Sequence, residues 1–189
     1  MENLSDKFIW KALKEGDLNA FSILFKSYYP KLYNYGLKIS NNNVQLTEDS
    51  LQDFFIYIYE HRENLSDLEN IAPYLFTSYR RFLIKILGKK TKTISTNVHE
   101  LNVVDVKFNA EEILTKQESE TFKNKNILKL LNNLPKRQKE AIYLKYYCEL
   151  KTTEIAVIMD VNYQSAVNTI HKAIKNLREE ISILQLFNI

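Results

Sequence analysis

The stretch Leu134–Glu180, LPKRQKEAIYLKYYCELKTTEIAVIMDVNYQSAVNTIHKAIKNLREE, decides the fold class, because it divides into three helices joined by short turns. Pro135 suits a helix start: its ring holds φ near the helical value, and the N–H it lacks would have no partner in a first turn. Ala141, Ile142, Leu144 and Tyr147 are the inward positions of that helix. Thr152 is the expected N-cap of a short second helix with Ile155, Ala156 and Ile158 as its buried face. Asp160-Val161-Asn162 reads as a turn. A third helix then begins near Gln164, where Val167, Ile170, Ile174 and Leu177 fall on one face.

The opposite face of the third helix carries Gln164, Ser165, Asn168, Thr169 and Lys172. A helix enters the major groove only if its leading end presents groups that reach base edges while its back is fixed to a small core. Gln and Asn can pair bidentately with adenine, and Lys can reach guanine or phosphate. Ala156 is small enough to let the second and third helices cross closely. The segment is therefore expected to be a helix-turn-helix that binds duplex DNA.

The rest of the chain is also expected to be helical. Its 189 residues hold only three glycines and three prolines, which leaves little punctuation for turns. One cysteine, Cys148, forbids an intramolecular disulfide. His61, His99 and His171 are scattered, so no metal site is expected, and no cofactor-binding or catalytic set is visible. The N-terminus MENLSDKFIWKALKEGD is amphipathic, unlike a signal peptide. The longest apolar run, Phe54–Tyr59, is far short of the ~20 residues a membrane span needs, so a cytoplasmic protein with no membrane insertion is expected.

Charge is unevenly distributed. Thr47–Glu69 holds seven acids against Arg62 alone, and Tyr79–Lys92 holds six bases and no acid. Val98–Glu120 is acidic again, and Thr121–Ile189 carries eleven bases against six acids. Two basic segments separated by acidic ones suggest two contacts with a polyanion.

Upstream, Phe8, Ile9, Ala12 and Leu13 form a first helix ending at Gly16. Ala20, Ile23, Leu24, Tyr28, Leu32, Tyr35 and Leu37 continue the helical spacing, with Pro30 marking a bend. Asn41–Asn43 is a loop, and Thr47 is the expected N-cap of a helix running to about His61. In that helix Leu51, Phe54, Phe55 and Ile58 make the core stripe. Ile56, Tyr57 and Tyr59 are surplus, and an acidic helix with surplus hydrophobes reads as a protein-binding surface or as a helix buried on two sides.

Asn64–Asp67 leads to a further helix from Pro73 to Gly88, which sets Tyr74, Phe76 and Tyr79 beside Arg80, Arg81 and Lys85. Aromatics beside bases suit single-stranded DNA, and core aromatics beside a solvated basic edge would give the same composition. Lys89–Asn109 has no helical stripe, and helix resumes near Ala110. The expected architecture is all-α: two small helical domains, 1–90 and 121–189, joined by a flexible linker over 91–120, with the second domain a helix-turn-helix.

These segments in this order resemble a bacterial RNA polymerase sigma factor of the extracytoplasmic-function group. The resemblance covers about Gly16–Lys90 and Leu128–Glu180. GDLNAFSILFKSYYPKLYNYG looks like the family's opening helices, TEDSLQDFFIYIYEHRENL like its polymerase-binding helix, and APYLFTSYRRFLIKILGKK like the helix that meets the promoter element being melted. The segment quoted first looks like its second DNA-binding domain. The resemblance implies that Asp49, Gln52, Asp53 and Ile56 meet core RNA polymerase. It implies that the Asn64–Asn70 loop with Arg80, Arg81 and Lys85 handles the melted strand of promoter DNA. Tyr163, Gln164, Ser165, Asn168, Thr169 and Lys172 would then face the distal, double-stranded element.

An anti-sigma factor is a further partner that the resemblance makes an expectation. Arg81 and Lys85 stand where many members carry Asn and Asp, and Lys172 where arginine is more usual. The first departure strengthens phosphate attraction; the second removes a bidentate fork. A helix-turn-helix transcriptional regulator acting as a homodimer through Met1–Leu87 is the alternative. A nucleic-acid-modifying enzyme would need a catalytic cluster that this sequence lacks.

Overall fold

The computed structural model describes residues 6–90, 104–109 and 121–186, with side chains described over 6–88, 104–109 and 126–182, and every regular element among them is helical. The chain divides into two units, Met1–Leu101 and Asn102–Ile189.

The first unit contains α1 (Asp6–Lys14), α2 (Leu18–Ile39), α3 (Val44–Glu60), a 3-10 turn (Arg62–Asn64) and α4 (Ile71–Lys90). Gly16 ends α1 with φ +92, which lets Asp17 N–H bond back to Ala12 O and Gly16 N–H to Leu13 O. Asp17 then caps α2 through its side chain, which accepts from Asn19 N at 2.7 Å. Asn41 repeats the left-handed stop at the end of α2, with Asn42 N–H donating to Leu37 O. The helix runs continuously through Pro30.

The N-cap of α3 is Asn43, not Thr47: Asn43 Oδ1 accepts from Leu46 N at 3.0 Å. Thr47 lies one turn inside and is fully buried, its Oγ1 donating to Asn43 O. The stripe Leu51, Phe54, Phe55 and Ile58 is buried as expected. In α1 the buried residues are Trp10 and Leu13, whereas Phe8 is 58% exposed.

Three helices of this unit meet at Gly36. A Cβ there would lie 2.5 Å from Tyr79 Oη and 2.8 Å from Thr47 Cγ2, so only glycine lets α2, α3 and α4 approach this closely. The same crossing is polar inside: Ser40 Oγ and Thr47 Oγ1 share a 2.8 Å hydrogen bond, as do Ser50 Oγ and Tyr79 Oη at 3.2 Å. Burial without these partners would cost each hydroxyl ~1–3 kcal/mol.

The second unit contains α5 (Thr121–Asn133), α6 (Lys136–Tyr146), α7 (Thr152–Ile158) and α8 (Tyr163–Leu186). Pro135 precedes α6 as its N-cap residue. Ala141, Ile142 and Leu144 are buried, but the inward aromatic is Tyr143; Tyr147 is 37% exposed. Thr152 is the first residue of α7, and the N-cap is Lys151, whose backbone N–H donates to Glu154 Oε2 at 2.6 Å. Ile155, Ala156 and Ile158 are buried as expected. Asp160, at φ +55, makes the turn; its N–H bonds Val157 O, and Val161 N–H bonds Ala156 O. Asn162 Oδ1 then accepts from Ser165 N at 2.8 Å and starts α8. The core of α8 centres on Ala166, Ile170 and Ala173, with Val167, Ile174 and Leu177 at its margins.

Part of the segment expected to be a linker packs onto this unit. Val104, Val106 and Phe108 are buried and alternate with Asp105 and Lys107, the period of an extended chain. Asn132 holds Phe108 from both sides, accepting from its N–H at 2.9 Å and donating to its carbonyl at 3.1 Å. Asp105 pairs with Lys139 at 2.5 Å, a lysine whose side chain is otherwise 8% exposed. Residues 91–103 and 110–120, including the helix expected near Ala110, lie outside the described residues.

Candidate nucleic-acid interface

On α8 the polar face forms as its spacing requires. Tyr163, Gln164, Asn168 and Lys172 are exposed, and Ser165 and Thr169 are half-buried beside them. Gln164 Nε2 donates to Asn168 Oδ1 at 3.1 Å, and Thr169 Oγ1 donates to Ser165 O at 2.7 Å. The first bond joins two exposed amides and uses one donor of Gln164 and one acceptor of Asn168. The Schellman-type turn at Asp160 and the Asn162 cap set the helix's leading end in the open, the end that must reach a groove.

In the first unit, Asp49, Gln52, Asp53 and Ile56 are all exposed and follow i, i+3, i+4, i+7 along α3, so they share one face. Tyr57 is 48% exposed beside them. Sequence reasoning missed what flanks this face: Phe21, Phe25, Tyr29 and Tyr33 form a ladder at four-residue spacing along α2. Phe25 lies 4.9 Å and Tyr29 6.2 Å from the Phe55 ring, and Phe21 lies 5.1 Å from Tyr59. Burial beside these rings, with the Glu48 carboxylate near, pushes the Tyr29 phenol up. The signal is the i, i+4 recurrence of rings itself, which lies outside the stripe of Ala20, Ile23, Leu24, Tyr28, Leu32, Tyr35 and Leu37.

The basic helix α4 needs a larger correction. Arg81 and Lys85 are exposed four residues apart, but Arg80 is 4% exposed and does not share their surface. Phe76 and Tyr79 are fully buried, so they are core rings and not stacking platforms. Burial pushes the Tyr79 phenol up to about 12, although its hydrogen bond to Ser50 pulls the other way. Tyr74 is half-buried and meets the Trp10 ring edge-on at 5.3 Å.

The loop before α4 is built from both ends. Leu65 and Ile71 are buried and anchor it, while Asn64, Ser66, Asp67, Glu69 and Asn70 are exposed. Arg62 lies 4.6 Å over the Tyr59 ring and donates to Tyr59 O at 2.8 Å, so the one base of the acidic stretch is folded back onto the domain. Among the described residues no group of three or more His, Cys, Asp or Glu side chains could hold a metal ion, and no helix is long and apolar enough to cross a membrane.

Comparison with known proteins bears on both units. Residues 124–177, from α5 through most of α8, match the family Sigma-70, region 4. The whole chain is similar to the ECF RNA polymerase sigma factor SigW of Bacillus subtilis (strain 168), with 26% identity over 191 residues, 96% of this chain and 98% of that protein. Among solved structures, CnrH in complex with the cytosolic domain of CnrY superposes with a TM-score of 0.61 at 13% identity, covering 94% of this chain and 97% of that one. The sigma factor RpoE of Bartonella quintana, in complex with the anti-sigma factor NepR, gives 0.60 at 19% identity over 88% of this chain and 99% of that one.

Proposed function

We infer that this chain, a sigma factor of the extracytoplasmic-function group, holds core RNA polymerase through the exposed face of α3 and grips promoter DNA twice, once with each unit. Similarity to a sigma factor along 96% of the chain is the observation that carries this reading. Asp49, Gln52, Asp53 and Ile56 supply the polymerase contact: two carboxylates for steering and register, with Ile56 and the neighbouring Tyr57 for desolvated area. Tyr163, Gln164, Ser165, Asn168, Thr169 and Lys172 read the distal duplex element in its major groove.

Asn64 and its loop, with Arg81 and Lys85, receive the melted strand. Opening a duplex costs on average ~1.4 kcal/mol per base-pair step, and the loop offsets part of this by holding a base that has left the stack. Arg81 and Lys85 add phosphate attraction, which weakens as salt rises. In this reading the chain carries no chemistry of its own, acts in the cytoplasm where polymerase works, and is open to an anti-sigma factor as a third partner.

Transcription from a promoter library by core polymerase, with and without the chain, tests the assignment. The chain is expected to add a defined set of start sites and to co-purify with core. No added initiation together with no co-purification overturns it.

A further inference from the structure

Four contacts made by α1, each spanning more than fifty residues of sequence, converge on the loop between Leu65 and Ile71. Trp10, 1% exposed, donates from Nε1 to the Ser66 carbonyl at 2.8 Å. Asp6 Oδ2 accepts from Ile71 N at 3.1 Å, capping the first residue of α4 from outside its own strand of sequence. Lys14 pairs with Asp67, and Lys7 pairs with Glu69. The same Asp6 oxygen lies 3.2 Å from the Tyr28 hydroxyl, and the Trp10 ring rests on Tyr74, so α1 is itself fixed to α2 and α4.

We propose that α1 is the positioning element of the 65–70 loop, with Trp10 setting its shape and Lys7 and Lys14 setting its charge. The proposal rests on the reading that this loop receives the melted strand. The two ion pairs are exposed at their acid ends and contribute little to holding the loop in place. The buried tryptophan and the Asp6 cap do that. What the lysines change is the field. Residues 61–70 carry Arg62 against Glu63, Asp67 and Glu69, a net −2, which would repel a polyanion. α1, with Lys7, Lys11 and Lys14 against Asp6, is a net +2; Lys7 and Lys14 pair with the loop directly and Lys11 acts on Asp67 through its field. The Lys14 ammonium holds the Asp67 carboxyl below its ordinary range, and Glu69 raises the Lys7 ammonium.

The test compares full-length wild type, Trp10→Phe, Lys14→Met and Asn64→Ala, each bound to core polymerase, on two templates. One is an intact duplex promoter selected by wild type; the other is the same sequence with the proximal element already opened as a mismatched bubble. A protein that is merely less well folded loses initiation on both templates alike. Trp10→Phe keeps a ring and removes the N–H donor; it is expected to lower the duplex-to-bubble ratio about fivefold, the worth of one net hydrogen bond. It should also flatten the preference for the base captured by the loop. Lys14→Met keeps the apolar stem; it is expected to lower the ratio about threefold, with the deficit growing as salt is reduced. A change with Asn64→Ala but an unchanged ratio for both α1 variants overturns the role of α1 alone. If Asn64→Ala also leaves the ratio unchanged, the reading of the loop falls, and the role of α1 falls with it.

Discussion

The two units solve the same problem with different cores. The first is closed by large rings, Trp10, Tyr35, Phe54, Phe55, Phe76 and Tyr79, around a buried set of hydroxyls and one obligatory glycine. The second is closed mostly by aliphatic side chains and alanines, including Ala141, Ala156, Ala166 and Ala173, with Phe108 and Tyr143 as its buried rings. Its proposed contact surface is one face of one helix. The proposed surfaces of the first unit are the exposed face of α3, whose Phe55 and Tyr59 pack on the α2 rings, and a second assembled from α1, the 65–70 loop and α4. A site on a single helix survives as long as that helix is held. A site assembled from several elements depends on every crossing that sets their spacing.

Substitutions at the crossings should separate the two units most clearly. Gly36→Ala forces a Cβ against Tyr79 and Thr47 and is expected to destabilise the first unit by ~3 kcal/mol. Trp10 is the only tryptophan, so its fluorescence during denaturant unfolding reports that unit alone. A loss below about 1 kcal/mol would mean that the crossing yields easily.

Alkaline pH should act on the same place. The Tyr79 phenol, ordinarily near 10, is pushed up to about 12 in the folded chain. Its contribution is complete below pH 10. Above that the unfolded chain gives up the proton while the folded chain keeps it, so stability falls by roughly 2 kcal/mol as pH rises towards 12. Tyr79→Phe should remove most of that slope, and an unchanged slope would place its origin elsewhere.

In the second unit Ala166→Leu should cost ~2 kcal/mol by overpacking, seen in helical circular dichroism while the Trp10 transition stays put. A shift of both transitions would mean that the units unfold together. Asp53→Lys, on an exposed face, should leave stability within about 0.5 kcal/mol while weakening core polymerase binding about tenfold. Wild-type affinity would remove α3 as the contact. The smallest effect is expected from Lys172→Ala: a salt dependence of duplex binding reduced by about one counterion if the ammonium meets a phosphate. A changed base preference at constant slope would assign it to a base edge.

The same contrast explains what could be read from sequence. The face of α8 was legible because every residue on it is near in sequence and its turn carries its own chemistry in Asp160 and Asn162. The α3 stripe was legible for the same reason. Thr47 misled because a threonine before two acids looks like a cap, while the capping amide was already present in the asparagine run; Thr47 is needed instead at the Gly36 crossing. Arg80 and Tyr79 misled because composition cannot say which side of α4 faces inward. Val104–Phe108 was passed over because alternation over five residues carries little weight until a partner such as Asn132 is known. The contact behind the proposed positioning role of Trp10 was invisible because its partner lies 56 residues away.

The Gly36 crossing also leaves a mark that can be sought in relatives of this chain. The space is closed by Tyr79 Oη and Thr47 Cγ2, so a related sequence with alanine or serine at the Gly36 position can keep the same helix spacing only by shortening its neighbours. Phenylalanine or leucine should then replace the tyrosine and serine the threonine, since either neighbour left unchanged would lie within 2.8 Å of the new Cβ. Where none of these exchanges accompanies a larger residue at that position, α2 must stand further from α4, and an evolutionary pairing among three positions far apart in sequence becomes a ruler for that distance.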